Sequence, residues 1–193
     1  MKGKSYLCAP ESTKTFFVME GWSELILKLP GLPMGITEIE SVVTSDFFTS
    51  FDNTPIHKAE YTIKVTFDKK PGLYIAIIDA NGWHGATCDR CLEDIQLPGH
   101  TQYQYFFKIG VDENWEEDED VIMIDEGMVE LDLRPYVYEA IVLSLPIVNT
   151  YDCSSDPAPP CDEDVLDILE ETQYDSEKKD PTWDVLKNIK FED

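Results

Sequence analysis

Cys88 and Cys91 stand two positions from closure in the run Cys88-Asp89-Arg90-Cys91-Leu92-Glu93. A tight turn at that spacing brings both sulfurs to one side, where they can close on a metal ion. Cys153 and Cys161 offer a second pair, in a stretch that also carries Pro157, Pro159 and Pro160. Joined, Cys88, Cys91, Cys153 and Cys161 would form one tetrahedral thiolate site. Soft sulfur donors of that kind select zinc over harder cations. The second pair is spaced more widely than the usual metal-ligand pair, so unrelated reduced cysteines remain the alternative.

Other chemistry finds little support. A zinc deaminase pairs such cysteines with an upstream His-x-Glu. Here His57, His84 and His100 are followed by Lys58-Ala59, Gly85-Ala86 and Thr101-Gln102, so the glutamate is missing. A thioredoxin-like dithiol opens a helix in an α/β setting, whereas Cys88 follows strand-like sequence. Neither a phosphate loop nor a Gly-x-Ser-x-Gly elbow occurs. The chain is therefore expected to be non-enzymatic, with no catalytic residue and no small-molecule substrate.

Charge narrows the partners. Fifteen Lys and Arg face 39 Asp and Glu, for a formal net charge of −24 over 193 residues. Spread evenly, that charge repels phosphate backbones and attracts basic proteins or metal cations. It also keeps a protein soluble, which is the plain alternative. The start of the chain shows no apolar core of a secretory signal, and no run approaches the length of a membrane helix. A cytoplasmic location with reduced thiols is expected. Cys8 is the odd cysteine and carries no assigned role.

These residues need a scaffold. Tyr61, Ile63, Val65 and Phe67 alternate with Thr62, Lys64 and Thr66, the period of a half-buried strand. Residues 73–78 are apolar on both faces and read as a central strand. Asn81-Gly82 signals a hairpin turn, and residues 83–87 then lead to the cysteine knuckle. Residues 92–95 and 103–109 continue the meander. Residues 121–124 and 129–133 read as short strands around a turn at Glu126-Gly127. Upstream, residues 24–29 form a strand candidate, residues 36–43 a strand or short helix, and Phe47, Phe48 and Phe51 should pin that region to the core.

A helix is predicted over residues 134–145, with Asp132 at or just before its cap and Pro135 in its first turn. Only Glu139 interrupts its apolar surface, so it should be buried, with Val137, Ile141 and Leu145 against the strand of Ile63 and Val65. Residues 162–171 form an acidic helix candidate. Asp180-Pro181 opens a last helix carrying Trp183, Leu186 and Ile189. The expected fold is α+β: mainly an antiparallel β meander or partial barrel, one buried helix, and an acidic helical C-terminal tail. Residues 1–161 would be one β-rich domain with the cysteine knuckle, and residues 162–193 the tail with its docking helix.

In order, these features resemble the YceD-like family of large ribosomal RNA subunit accumulation proteins. The knuckle Cys88-Asp89-Arg90-Cys91-Leu92-Glu93 fits its C-x-R-C-L-E pattern. Ile124-Asp125 leads to Leu131-Asp132-Leu133, and then to the helix motif Val137-Tyr138-Glu139-Ala140-Ile141-Val142-Leu143-Ser144-Leu145-Pro146. Asp180-Pro181-Thr182-Trp183-Asp184-Val185-Leu186 fits the closing D-P-x-x-x-x-L. The loop between Cys153 and Cys161 lacks the closely spaced extra cysteines of some members, and residues 1–58 match nothing in the pattern.

The resemblance implies a non-enzymatic bacterial factor that supports accumulation or processing of large-subunit ribosomal RNA, in a family described as metal-binding and nucleic-acid-binding. Its partner would be a ribosomal protein or large-subunit ribosomal RNA. The acidic runs at residues 113–120 and 162–171, and the absence of any Lys/Arg cluster, favour a basic ribosomal protein. The competing reading is a small metal- or redox-sensing thiol protein. Arg90 fits either an RNA phosphate or a backbone carbonyl beside the thiolates.

Overall fold

The structure, a computed structural model, describes residues 22–110, 121–153 and 155–175. Cys8, the acidic run at residues 113–120 and the helix expected after Asp180 lie outside these residues.

The predicted alternation builds the centre of the sheet. Strand β3 (Ala59–Lys70) buries Tyr61, Ile63, Val65 and Phe67 completely and turns Thr62 and Lys64 to solvent. Gly72, at positive φ, closes the turn into β4 (Leu73–Thr87), and β4 pairs in turn with β5 (Asp94–Ile109). Strand β2 (Gly35–Thr44) lies on the other side of β3. The five-stranded sheet runs β2-β3-β4-β5-β6, antiparallel except at β6 (Val121–Ile124), which joins β5 parallel. It is an open sheet with β2 and β6 at its edges, and not a barrel. A second ladder pairs β1 (Ile26–Lys28) with β7 (Glu130–Asp132).

The turn at Glu126-Gly127 is present as expected, and it leads from β6 in one sheet to β7 in the other. One turn expectation needs correction. Asn81-Gly82 is not a turn: β4 runs straight through it, with Tyr61, Gly82 and Gly99 in register on three neighbouring strands. The glycines serve packing instead. A methyl group on Gly82 would collide with the Glu60 carbonyl, and one on Gly99 would collide with the Tyr61 hydroxyl. The phenol of Tyr61 thus lies over strands stripped of side chains. Its hydroxyl and His84 Nδ1 share a 2.8 Å hydrogen bond, with the two rings nearly parallel. Both side chains are buried. Desolvation pushes Tyr61 up to about 12.

One face of the sheet carries the core. Helix α1 (Ser45–Thr49) inserts Phe47 and Phe48, both fully buried. Helix α2 (Arg134–Leu143) starts where Asp132 accepts the Arg134 N–H and holds its guanidinium in a fork, with contacts of 2.9 and 2.7 Å. Val137, Ala140 and Ile141 face inward. The helix lies mainly over β5 and β4, in one core cluster with Ile63 and Val65 of β3. Tyr136 meets the rings of Tyr105 and Phe107, while Tyr138 stacks on Phe51 at 4.1 Å. This aromatic fit sets where the helix sits. Among the described residues, no helix is long and apolar enough to cross a membrane.

Ile141 has no exposed surface. Ile141→Ala should therefore cost roughly 2–5 kcal/mol in chemical denaturation. A loss within about 0.5 kcal/mol, the range of surface substitutions, would show that α2 is peripheral.

Candidate functional site

Strands β4 and β5 extend past the main core, and the connection between them carries the cysteine knuckle. Cys88 N–H donates to the Glu93 carbonyl at 2.8 Å, and Leu92 N–H donates to the Cys88 carbonyl at 2.9 Å. These bonds curl residues 88–93 into a loop that puts Leu92 at φ 64° with its side chain 75% exposed. That conformation is uncommon outside glycine. It lets the chain reverse within six residues while both sulfurs turn inward, Cys88 at 0% and Cys91 at 4% exposure.

The second cysteine segment is brought in by a clamp. Asp89 N–H donates to the Asn149 carbonyl at 2.7 Å, and Asn149 N–H donates to the Asp89 carboxylate at 2.6 Å. Arg90 then reaches the Tyr151 carbonyl at 3.4 Å and Cys153 Sγ at 2.9 Å. The loop is braced further by Tyr151, whose hydroxyl donates to Asp156 at 2.6 Å. That carboxyl is held below its ordinary range by the same bond and by the Ala158 N–H. Asp162 next caps helix α3 (Glu163–Asp175), accepting N–H groups from Asp164 and Val165. Val165 and Leu166 of α3 close over the sulfurs.

All four predicted cysteines therefore meet in one small apolar cluster with Ile95, Ala86, Leu97 and Tyr151. Their redox state differs from the expected four thiols. Cys153 and Cys161 are joined as a disulfide, with Cα atoms 6.5 Å apart, while Cys88 and Cys91 are free. With one pair bonded to itself, only two thiols are available as ligands. Among the described residues, no group of three or more His, Cys, Asp and Glu side chains is poised around a metal position.

Electrostatics single out Cys88. Burial pushes its thiol up. The backbone N–H groups of Cys91, Arg90 and Tyr151, together with the Cys91 thiol, outweigh burial and bring it down to about 7. Two of those amides belong to the knuckle, and the third comes from the clamped loop. The Arg90 side chain takes the carbonyl-and-sulfur role of the two anticipated for it. Asp89, Asn149 and the Tyr151 amide had no sequence signal, because the clamp is made by backbone groups from distant segments.

The lowered Cys88 value fixes a pH dependence. Between about 7 and its ordinary 9.0, the folded protein has released a proton that the unfolded chain still holds. Stability of the metal-free protein with Cys88 free should accordingly rise with pH across that window and fall away as pH drops through 7. The Cβ chemical shift of Cys88, followed by NMR, should titrate near 7. A midpoint near 9 would mean that the three amides do not act on the sulfur.

The comparisons with known proteins add one finding. No curated protein and no solved structure matches the chain. Residues 79–190, more than half of the sequence, match the family described as Large ribosomal RNA subunit accumulation protein YceD. The match begins inside β4 and takes in the knuckle, α2, the clamped loop and α3. The chain belongs to the YceD family.

Proposed function

We propose that this protein is a non-enzymatic, cytoplasmic factor of large-subunit ribosome assembly, which binds a basic ribosomal protein and so supports accumulation of the subunit's RNA. The observation that carries the ribosomal role is the family match from β4 through the cysteine cluster. The choice of partner rests on charge. A surface of net charge −24 presents to a cationic protein the kind of field that ribosomal RNA presents. It can shield that protein until RNA replaces it.

The cysteine cluster serves this role as a fastening. In the reduced protein, Cys88, Cys91, Cys153 and Cys161 fit a structural zinc ion by donor chemistry. All four sulfur-bearing side chains share one apolar cluster, amide N–H groups favour thiolate at Cys88, and Arg90 sits on Cys153. Bound there, zinc would supply a cross-link between the knuckle and the loop of residues 149–161. A second reading is favoured by the disulfide lying beside two free thiols, namely a redox-sensing thiol protein. Association with pre-ribosomal particles separates the two.

Protein purified under reducing conditions should carry close to one equivalent of zinc, and Cys88→Ser should lose it. Less than about a tenth of an equivalent in folded protein would remove zinc from the proposal, since structural sites bind with an apparent ~10–16 kcal/mol. Capture from lysate should retain basic large-subunit ribosomal proteins. That binding should weaken steeply with salt, because exposed charges are screened over about 10 Å at 0.1 M and about 3 Å at 1 M. Tight binding of a large-subunit ribosomal RNA fragment by the protein alone, at physiological salt, would replace the protein-partner reading with direct RNA binding.

A further inference from the structure

Strand β2 lies at the edge of the sheet and is paired over ten residues with β3, without a bulge. Edge strands are ordinarily kept short, bulged, broken by proline or covered, because their unpaired N–H and C=O groups recruit other strands. β2 is ten residues long and has neither bulge nor proline. Among the described residues, its backbone makes no hydrogen bond except to β3. The turn Ser23–Leu25 lies beside β2 but makes no backbone bond to it.

The side chains beside this edge have a definite chemistry. On the sheet face away from α2, β2 presents Ile36, Glu38, Glu40 and Val42, all exposed, with Ile36 at 69% and Val42 at 54%. Lys64 of β3 pairs with Glu38 at 3.2 Å. Glu40 has no ion pair among the described residues. Antiparallel pairing of β2 with a second copy, centred on Ile39, would set Glu38 opposite Glu40 twice. Like charges directly opposite are destabilising, so that self-pairing register is disfavoured while the edge is left open to a cation.

We infer that β2 is a docking edge for an extended basic segment of a partner protein, added as a sixth strand. The segment would carry Lys or Arg at two alternate positions opposite Glu38 and Glu40, flanked by β-branched or aromatic residues opposite Ile36 and Val42. Main-chain hydrogen bonds would supply affinity, and the alternating side chains specificity. The inference rests on the proposed basic-protein reading for the source of the segment, but its test does not use ribosomes. β2 lies outside the residues that match the family, so the family match does not assign this edge.

The probe is a synthetic ten-residue peptide of that pattern, titrated into the full chain and followed by backbone NMR and calorimetry. Expected shifts concentrate at residues 35–44. N-methylation of alternate peptide residues should abolish binding in one phase and spare it in the other, as only one peptide edge faces β2. The double variant Glu38→Lys/Glu40→Lys should bind the basic peptide about tenfold more weakly and should gain binding to the Asp/Glu counterpart. Equal binding of a scrambled basic peptide, or of the basic peptide by the double variant, would overturn the inference. So would slow amide exchange across both edges of β2 in the free monomer, which would mean that the edge is already covered. A dimer abolished by the double variant would instead identify a second copy as the occupant. Peptide binding at β2 together with failure to capture ribosomal proteins would refute the functional reading and keep the edge.

Discussion

A hairpin can be longer than the core beneath it, and here that mismatch shapes the molecule. β4 and β5 pair over fifteen residues, roughly 50 Å of strand at about 3.3 Å per residue. α2 has ten residues, about 15 Å of helix at 1.5 Å per residue. The far end of the hairpin must be covered by something else. The sequence meets this need with a second, much smaller cluster, in which four cysteines replace the aliphatic side chains that a larger domain would use. A few side chains cannot exclude water securely through area alone. Hydrogen bonds and covalent or coordinate links between segments are then the available means. The Asp89–Asn149 clamp, the Arg90 contacts and the disulfide all belong to this end.

What could be read from the sequence follows the same division. β3 was legible because each residue reports its own surroundings, apolar inward and polar outward. α2 was legible for the corresponding reason, with Asp132 and Pro135 marking its start. Asn81-Gly82 misled because glycine has two uses, and local sequence cannot tell a turn from a close approach to a neighbouring strand. β6 and β7 read as strands around their turn, but their partners β5 and β1 could not be named, since pairing depends on distant segments. The four cysteines converge as their types implied. The oxidation of one pair had no local signal, and the amides that act on Cys88 are invisible to any reading of side chains.

Several cations serve the fold itself. Arg134 is forked onto Asp132, and Arg90 is turned to a sulfur and a carbonyl. Lys69 donates to the carbonyls of Leu29 and Leu32, at 2.7 and 2.9 Å, tying the turn after β1 to β3. Each of these is a structural fastener with reduced freedom to meet a ligand. The acidic residues are spent differently, with Glu38, Glu40 and the first turn of α3 facing solvent. These contacts leave the net charge of −24 as it is, but they leave fewer cations free to reach a ligand. Many exposed cations would have been needed to attract phosphate, and several are occupied within the fold.

The pairing of Tyr61 with His84 has a consequence for acid. This pair lies where the main core gives way toward the cysteine end, so the joint between the two is polar. His84 Nε2 is buried and has no hydrogen-bond partner among the described residues. Desolvation lowers its pKa below the usual 6.5. As pH falls below 6.5, the unfolded chain takes up a proton that the folded protein refuses, and stability declines until the folded-state value is reached. Above 6.5 both states are neutral and the joint is indifferent to pH. Mild acid thus acts on the connection between the two halves of the hairpin before it reaches most carboxylates. The molecule carries a built-in weak point set by the burial of one imidazole.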